Sequence, residues 1–336
     1  MEAGSFTAPD GRRSVLKRPS GARLPDVILQ WGVTVLSVAI VLLIAYFFLK
    51  LIDESTTVFD KFGVFGFTFD NDWDVSKSVF GALPLVVGTL ITSAIALAMG
   101  VPVAVATALY ITELCPRRFR SPLTIVVELL AAVPSVVYVL WAFIVIVPFL
   151  KPAEQWFADT FSFIPFVGGH VAGPNYFIAG LVLAIMILPI VSAITREVMS
   201  TVPPDHKEAA LALGATRWEM IRTAILPYSR AGISGAAMLG LGRAIGETIA
   251  VTIVIGNAPQ IGDSLFSQGY TLAAVIANEF GEAANDKLHA GALIAAGLIL
   301  FVLTLAVNAI ARGLVIRSER RMHSAPPAEA VTGSVA

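Results

Sequence analysis

Six apolar stretches, each long enough for the roughly 20 residues a bilayer crossing needs, constrain what this chain can fold into. They run over about 27–52, 80–110, 122–150, 176–200, 232–256 and 290–312. In hydrocarbon a segment must satisfy its own backbone polar groups, so runs of this kind become helices and the fold class is all-α. Composition agrees: 56% of the 336 residues are hydrophobic and 14% are charged, against about 25% charged in soluble domains. Pro84, Pro102, Pro134, Pro148 and Pro189 interrupt the runs, which membrane helices tolerate because their neighbours re-satisfy the freed carbonyls. The first run follows five basic residues, as a signal sequence would. It is too long for one and ends in Tyr46-Phe47-Phe48 where cleavage needs small residues, so it is read as a retained span.

Lysine and arginine set the expected orientation. Of the 23, seventeen fall in the N-terminal tail, the 111–121 loop, the 196–231 loop and the C-terminal tail. The alternate loops hold five (Lys50, Lys61, Lys77, Lys151, Lys287), and Arg243 lies inside a span. Both termini are therefore expected on the cytoplasmic side. The outer loop 53–78 is acidic and reads as a solvated cap or docking surface. Segment 270–284 places Leu272, Val275, Ile276 and Phe280 on one helical face, a short amphipathic helix on the bundle or in the interface. The organisation expected is a tail over 1–26, a six-span domain over 27–317, and a polar, disordered tail over 318–336.

Several chemistries are excluded. A single cysteine, Cys115, and four scattered histidines give neither a disulfide framework nor a metal-ligand cluster. No G-x-x-x-x-G-K-[ST] loop occurs, so the chain cradles no nucleotide phosphate of its own. Gly240 to Gly246 is glycine-rich but fails the dinucleotide spacing, and nothing points to nucleic acid.

The longest inner loop, about 201–231, carries Pro203-Pro204-Asp205 as a helix start, then Glu208-Ala209-Ala210, Gly214 and Leu226-Pro227. On its residues alone it is a helix, a glycine stop and a second helix, either a solvated hairpin or a projecting knob. The pattern resembles the coupling signature of ABC importer permeases, which docks into a groove on the ATPase subunit. Glu208, Ala209, Ala210, Gly214, Leu226 and Pro227 match that signature, while Ala224 stands where the family has isoleucine.

Arg243 and Glu247 lie within the fifth apolar stretch, Arg243 roughly 16 Å from its inner end in a core about 30 Å thick. A charge at that depth costs roughly 2.5 to 17 kcal/mol. Their i, i+4 spacing predicts one helix face, and two readings stay open: a structural clasp, or a guanidinium fork for a passing oxyanion. Gly232, Ala236, Gly240, Ala244 and Thr248 form a small-residue stripe, and Gly242-x3-Gly246 adds a close-packing element. Glu128, about 9 Å into the third stretch, reads as a hydrogen-bonding or a pathway residue, with Ser135 and Tyr138 one and two turns on.

Gly240 to Thr252 (GLGRAIGETIAVT) closely resembles the fifth span of the phosphate-specific transport permeases. Glu128 to Tyr138, Tyr110 to Leu114 and Ala277 to Phe280 resemble the same family, over about 75–312 in all. Ile-Ala-Val-Thr after Gly-Glu-Thr, the acidic loop and Asn-Glu-Phe favour the PstC type over the PstA type. The resemblance implies a type I importer (MetI-like) permease in a bacterial inner membrane, not itself an enzyme. It implies a substrate pathway through Arg243 and Glu247, with Glu128, Ser135 and Tyr138 as further candidates. It also implies a PstA-like permease, a PstB-like ATPase dimer that uses ATP and magnesium, an extracytoplasmic phosphate-binding protein, and surrounding lipid. A permease for another oxyanion, a proton-coupled transporter using Glu247 or Glu128, and a non-transporting scaffold remain as alternatives.

Overall fold

A computed structural model describes residues 23–323. The chain divides into two units at Lys50. The described part of the first unit belongs to helix α1, Arg23–Phe62. From Val27 to Leu49 its large apolar side chains, apart from half-buried Phe48, are exposed, as a helix solvated by lipid requires.

In the second unit α2 (Val64–Phe69) and a two-stranded hairpin, β1 (Trp73–Asp74) and β2 (Val79–Phe80), lead into α3 (Leu83–Leu109). α3 continues through a π-helical turn, Tyr110–Leu114, and is followed by α4 (Arg117–Ala132), α5 (Ser135–Trp141) and α6 (Val147–Thr160). Next come α7 (Tyr176–Ser200), α8 (Pro204–Ala212) and α9 (Arg217–Met220). A further π turn, Ile221–Ile225, joins α9 to α10 (Leu226–Gly246). α11 (Ile249–Val254), α12 (Leu272–Glu279) and α13 (Lys287–His323) complete the described chain.

Among the described residues, five helical segments are long and apolar enough to cross a bilayer: Asp26–Phe62, Leu83–Leu114, Ser135–Thr160, Tyr176–Ser200 and Lys287–Arg317. The expected count of six uninterrupted spans is corrected at two places. The third run does not cross from 122 to 150. Val133 is extended (φ −68°, ψ 130°) ahead of Pro134, whose ring disfavours helix in the residue before it, so the span starts at Ser135 and reaches Thr160. The fifth run, 232–256, is broken: α10 ends at Gly246, Glu247 is extended (φ −72°, ψ 122°), and α11 begins at Ile249. The C-terminal tail expected to be disordered from 318 is helical to His323. The rest of that tail, and residues 1–22 of the N-terminal one, lie outside the described residues.

α7 is the centre of the second unit. It packs along α3 and α10, with α5 and α11 closing a core around Val139, Ile178, Leu183, Ile187, Val191 and Val251. Glycine permits the α3–α7 approach: a Cβ on Gly180 would sit 2.5 Å from Ile95 Cβ and 3.2 Å from the Thr92 carbonyl oxygen. Gly180→Val is therefore expected to lower stability by about 1–3 kcal/mol, read as a lower Tm of the purified protein in detergent. Gly235→Ala, whose Cβ meets nothing within 4 Å, should leave Tm unchanged or higher.

Two satellite clusters occupy the ends of α3. At one end Val58, Phe67, Trp73, Phe80, Leu85, Leu272 and Leu293 are buried together. There Glu279 accepts from Trp73 Nε1 at 3.1 Å and pairs with His289 Nε2 at 2.9 Å, tying hairpin, α12 and α13 together. α12 thus sits on the bundle through buried Leu272 and Val275, although Phe280, expected on the same face, is 55% exposed. At the other end Ala108, Met199, Val202, Met220, Ile221 and Ile225 seat the 201–231 segment on α3 and α7.

Candidate functional site

Two faces of α10 define the site. Gly232, Ala236, Gly240 and Ala244 turn toward α7, where a Cβ on Gly232 would lie 2.4 Å from Val198 Cγ1 and one on Gly240 2.8 Å from Val191 Cγ2. An adjoining face is open. Gly235, Leu239, Gly242 and Arg243 line a groove of about 700 Å³ with Ile190 of α7 and Asn308 of α13. Gly242 and Gly246 were expected to pack a neighbouring helix. A Cβ on either would meet no described atom of this chain within 4 Å.

Arg243 occupies the last turn of α10, where the carbonyl end of the helix dipole favours a cation. Its guanidinium is exposed and has no hydrogen-bond or ion-pair partner among the described residues. The expected shared face with Glu247 is not formed. The helix ends at Gly246, so the i, i+4 register that would stack the two side chains is lost, and no pair forms between them. Thr248 Oγ1 donates to the Gly246 carbonyl at 3.3 Å, and Asn257 Nδ2 donates to the Thr252 carbonyl at 2.9 Å. Beyond the break α11 leaves the α10 line and packs on α5.

Glu128, Ser135 and Tyr138 gather at the α4–α5 corner, and the Arg243 groove contains none of them. Glu128 forms an ion pair with Arg196 Nη2 of α7 at 2.7 Å. Tyr138 donates its hydroxyl to the Leu130 carbonyl at 2.7 Å, bridging the kink at Pro134. Ser135 is half-buried at the first position of α5.

The 201–231 segment forms a knob. α8 begins on Pro203-Pro204 with Asp205 in its first turn and exposes Glu208 and Ala209, with Ala210 half-buried. Gly214 takes φ +83°, a left-handed conformation that reverses the chain. Thr216 and Glu219 then cap α9 reciprocally: Glu219 Oε2 accepts from the Thr216 N–H at 2.7 Å, and Thr216 Oγ1 accepts from the Glu219 N–H at 3.3 Å. The Thr216 N–H and hydroxyl hold the Glu219 carboxyl below the usual carboxylate range. The stabilisation this gives is present above that range and is lost only as pH falls through the depressed value. Leu226 and Pro227 are half-buried where the segment meets α10.

Three features of the site escaped the sequence reading. Lys207 Nζ pairs with Glu113 Oε1 at 2.6 Å, tethering α8 to the π turn after α3 across 94 positions. Leu213 is 90% exposed and Trp218 63% exposed beside the Glu-Ala-Ala turn, an apolar tip that a solvated loop would not carry. An apolar residue directly before the turn glycine is the signal that points to it. Finally, Glu154, only 4% exposed, accepts from Asn175 Nδ2 at 3.1 Å, and Asn175 Oδ1 caps α7 by accepting from the Ile178 N–H.

Residues 100–320 match the family of binding-protein-dependent transport system inner membrane components. A phosphate transport system permease protein PstC of Mesorhizobium japonicum is 43% identical over 303 residues, covering 89% of this chain and 92% of the relative. The chain belongs to the PstC permeases. The Pasteurella multocida PstC is 45% identical over 269 residues, 78% of this chain and 83% of its own. PstC 2 of Mycobacterium tuberculosis is 45% identical over 246 residues, 72% and 76%. Among solved structures, a bacterial ABC transporter involved in alginate import superposes with a TM-score of 0.57 over 87% of this chain and 98% of its own, at 17% identity. That likeness shows the fold alone, an all-α helical bundle. This PstC-family chain is thus a multi-pass inner-membrane permease subunit, with Arg243 and the knob both inside the matched region.

Proposed function

We propose that this chain forms one half of the translocation pathway of an ATP-driven inorganic phosphate importer, with Arg243 as the group that meets the ion. The observation that carries the reading is the unpartnered guanidinium at the end of α10, on an open groove. A charge held at that depth without a partner needs one, and a guanidinium fork suits the paired oxygens of phosphate. The names of its relatives, all phosphate transport permeases, agree.

The rest of the machine follows from the same site. The open face of α10, with Gly235, Gly242 and Gly246 uncovered, fits a helix of a second, PstA-like permease, which would close the pathway. Glu247, just past the helix end, is proposed as an acidic group on the same pathway that acts without a direct pair to Arg243. Glu128 is assigned a secondary place, since Arg196 already holds it. Ser135 and Tyr138 stand beside α11 on α5 and would line the path after the break. Glu208, Ala209, Ala210, Gly214, Leu226 and Pro227 form or seat the knob that enters a groove on a PstB-like ATPase dimer, which binds ATP and magnesium. An extracytoplasmic binding protein delivers phosphate to the opposite end. Both termini are placed in the cytoplasm, on the side of the seventeen basic residues.

Labelled phosphate uptake into proteoliposomes holding the full complex tests this reading. Uptake is expected to need ATP on the knob side and to persist when an uncoupler collapses the proton gradient. Uptake that stops with the uncoupler while ATP stays high would overturn it in favour of proton coupling.

A further inference from the structure

A second basic site lies far from Arg243, where the knob meets the α3–α4 turn. A pocket of about 570 Å³ opens between the Tyr110–Leu114 π turn, the start of α4, α8 and α9. Four cations line it, Arg117, Arg120, Lys207 and Arg217, against one carboxylate, Glu113. Lys207 neutralises Glu113 at 2.6 Å. Arg120 spends one nitrogen on the Thr112 carbonyl. Arg117 and Arg217 have no hydrogen-bond or ion-pair partner among the described residues.

The backbone adds to the charge. α4 is 16 residues long, its N-cap is Pro116, and no side chain caps it, so the Arg117 and Arg118 N–H groups have no side-chain cap at the positive end of the helix dipole. Two free guanidiniums from separate segments, converging on one pocket with an uncapped helix start, match a group with several equivalent anionic oxygens. A carboxylate would satisfy one fork and leave the other.

We propose that this pocket binds a phosphate group and thereby clasps the coupling knob to the α3–α4 turn. Two sources carry that chemistry on this side of the membrane: free inorganic phosphate, and the headgroup of an anionic phospholipid. The inference goes beyond the transport reading and borrows from it only the cytoplasmic placement of the knob.

The test is hydrogen–deuterium exchange of the assembled complex in nanodiscs of phosphatidylcholine alone or with phosphatidylglycerol, titrated with sodium phosphate or sodium chloride. Slower exchange in segments 110–120 and 204–220 is expected. In phosphatidylcholine discs phosphate alone should produce it if the source is the free ion; with phosphatidylglycerol it should appear without added phosphate if the source is lipid. Arg117→Gln with Arg217→Gln should raise the half-saturating concentration by about tenfold or more. Arg118→Gln, one position outside the pocket lining, should not. The measurement is repeated on Arg243→Gln, so that protection confined to 235–250 and lost there is assigned to the pathway and counts against the clasp. Identical exchange under all salts and lipids overturns the proposal. So does an Arg118→Gln effect equal to that of the double variant, which would mean diffuse charge. Loss of ATPase co-purification in the double variant, with no phosphate protection in the parent, would assign the pocket to acidic side chains of the partner.

Discussion

Arg243→Gln is expected to cut ATP-driven phosphate uptake by about 10- to 100-fold while the complex still assembles. The size follows from removing charge-assisted, bidentate hydrogen bonds to an anion in a dehydrated path. Assembly should survive because the side chain is exposed and makes no hydrogen bond or ion pair with a described residue, so its loss leaves no orphaned partner. Arg243→Lys should restore little, since a point charge lacks the planar fork. Labelled phosphate uptake with the amount of complex held equal is the measurement. Normal uptake by an assembled Arg243→Gln complex would remove Arg243 from the pathway.

The second large effect is expected at the tip of the knob. Leu213 is 90% exposed and stands beside Gly214 at φ +83°. Leu213→Asp places a charge where an apolar docking contact is proposed, and loss of such an anchor costs about 2 kcal/mol or more, some thirtyfold in affinity. Gly214→Asp leaves the apolar tip but strains the left-handed turn and adds a charge to it. Both should reduce ATPase co-purification and phosphate-stimulated ATP hydrolysis together; Leu213→Asp should leave Tm unchanged because its side chain is not packed, while Gly214→Asp should lower it through strain at the turn. Full co-purification and transport in both variants would count against the docking role.

Much of this was legible in the sequence, for identifiable reasons. The Tyr176–Ser200 helix coincides with its apolar run because polar residues and Asn175 mark its ends. The small-residue stripe on α10 finds its partner helix because only glycine and alanine permit that approach. The knob was legible because Pro203-Pro204, Gly214 and Thr216-x-x-Glu219 are local punctuation. The helix break at Glu247 was not. Gly246 and Thr248 flank it inside an otherwise apolar run that reads as one helix, and the packing of α11 on α5 beyond it is non-local. The same holds for the Lys207–Glu113 tether and the Glu154–Asn175 cap, whose partners lie 94 and 21 residues apart. The Pro134 kink is different: the signal was present in the chain, and the apolar run around it masked where the span begins.

The unbroken backbone from Arg217 to Gly246 has a mechanical consequence. α9, the π turn and α10 run in series as one helical strut roughly 45 Å long. Its foot is the base of the knob, and its head carries Arg243 one turn before the chain yields at Glu247. The π turn and Pro227 lie near the foot, and from there to Gly246 the helix runs without a further break, so a displacement carried past them reaches the head, and the next compliant point lies just beyond the guanidinium. Thrust from the ATPase side would arrive at the ion site as a stroke, with the slack taken up only afterwards.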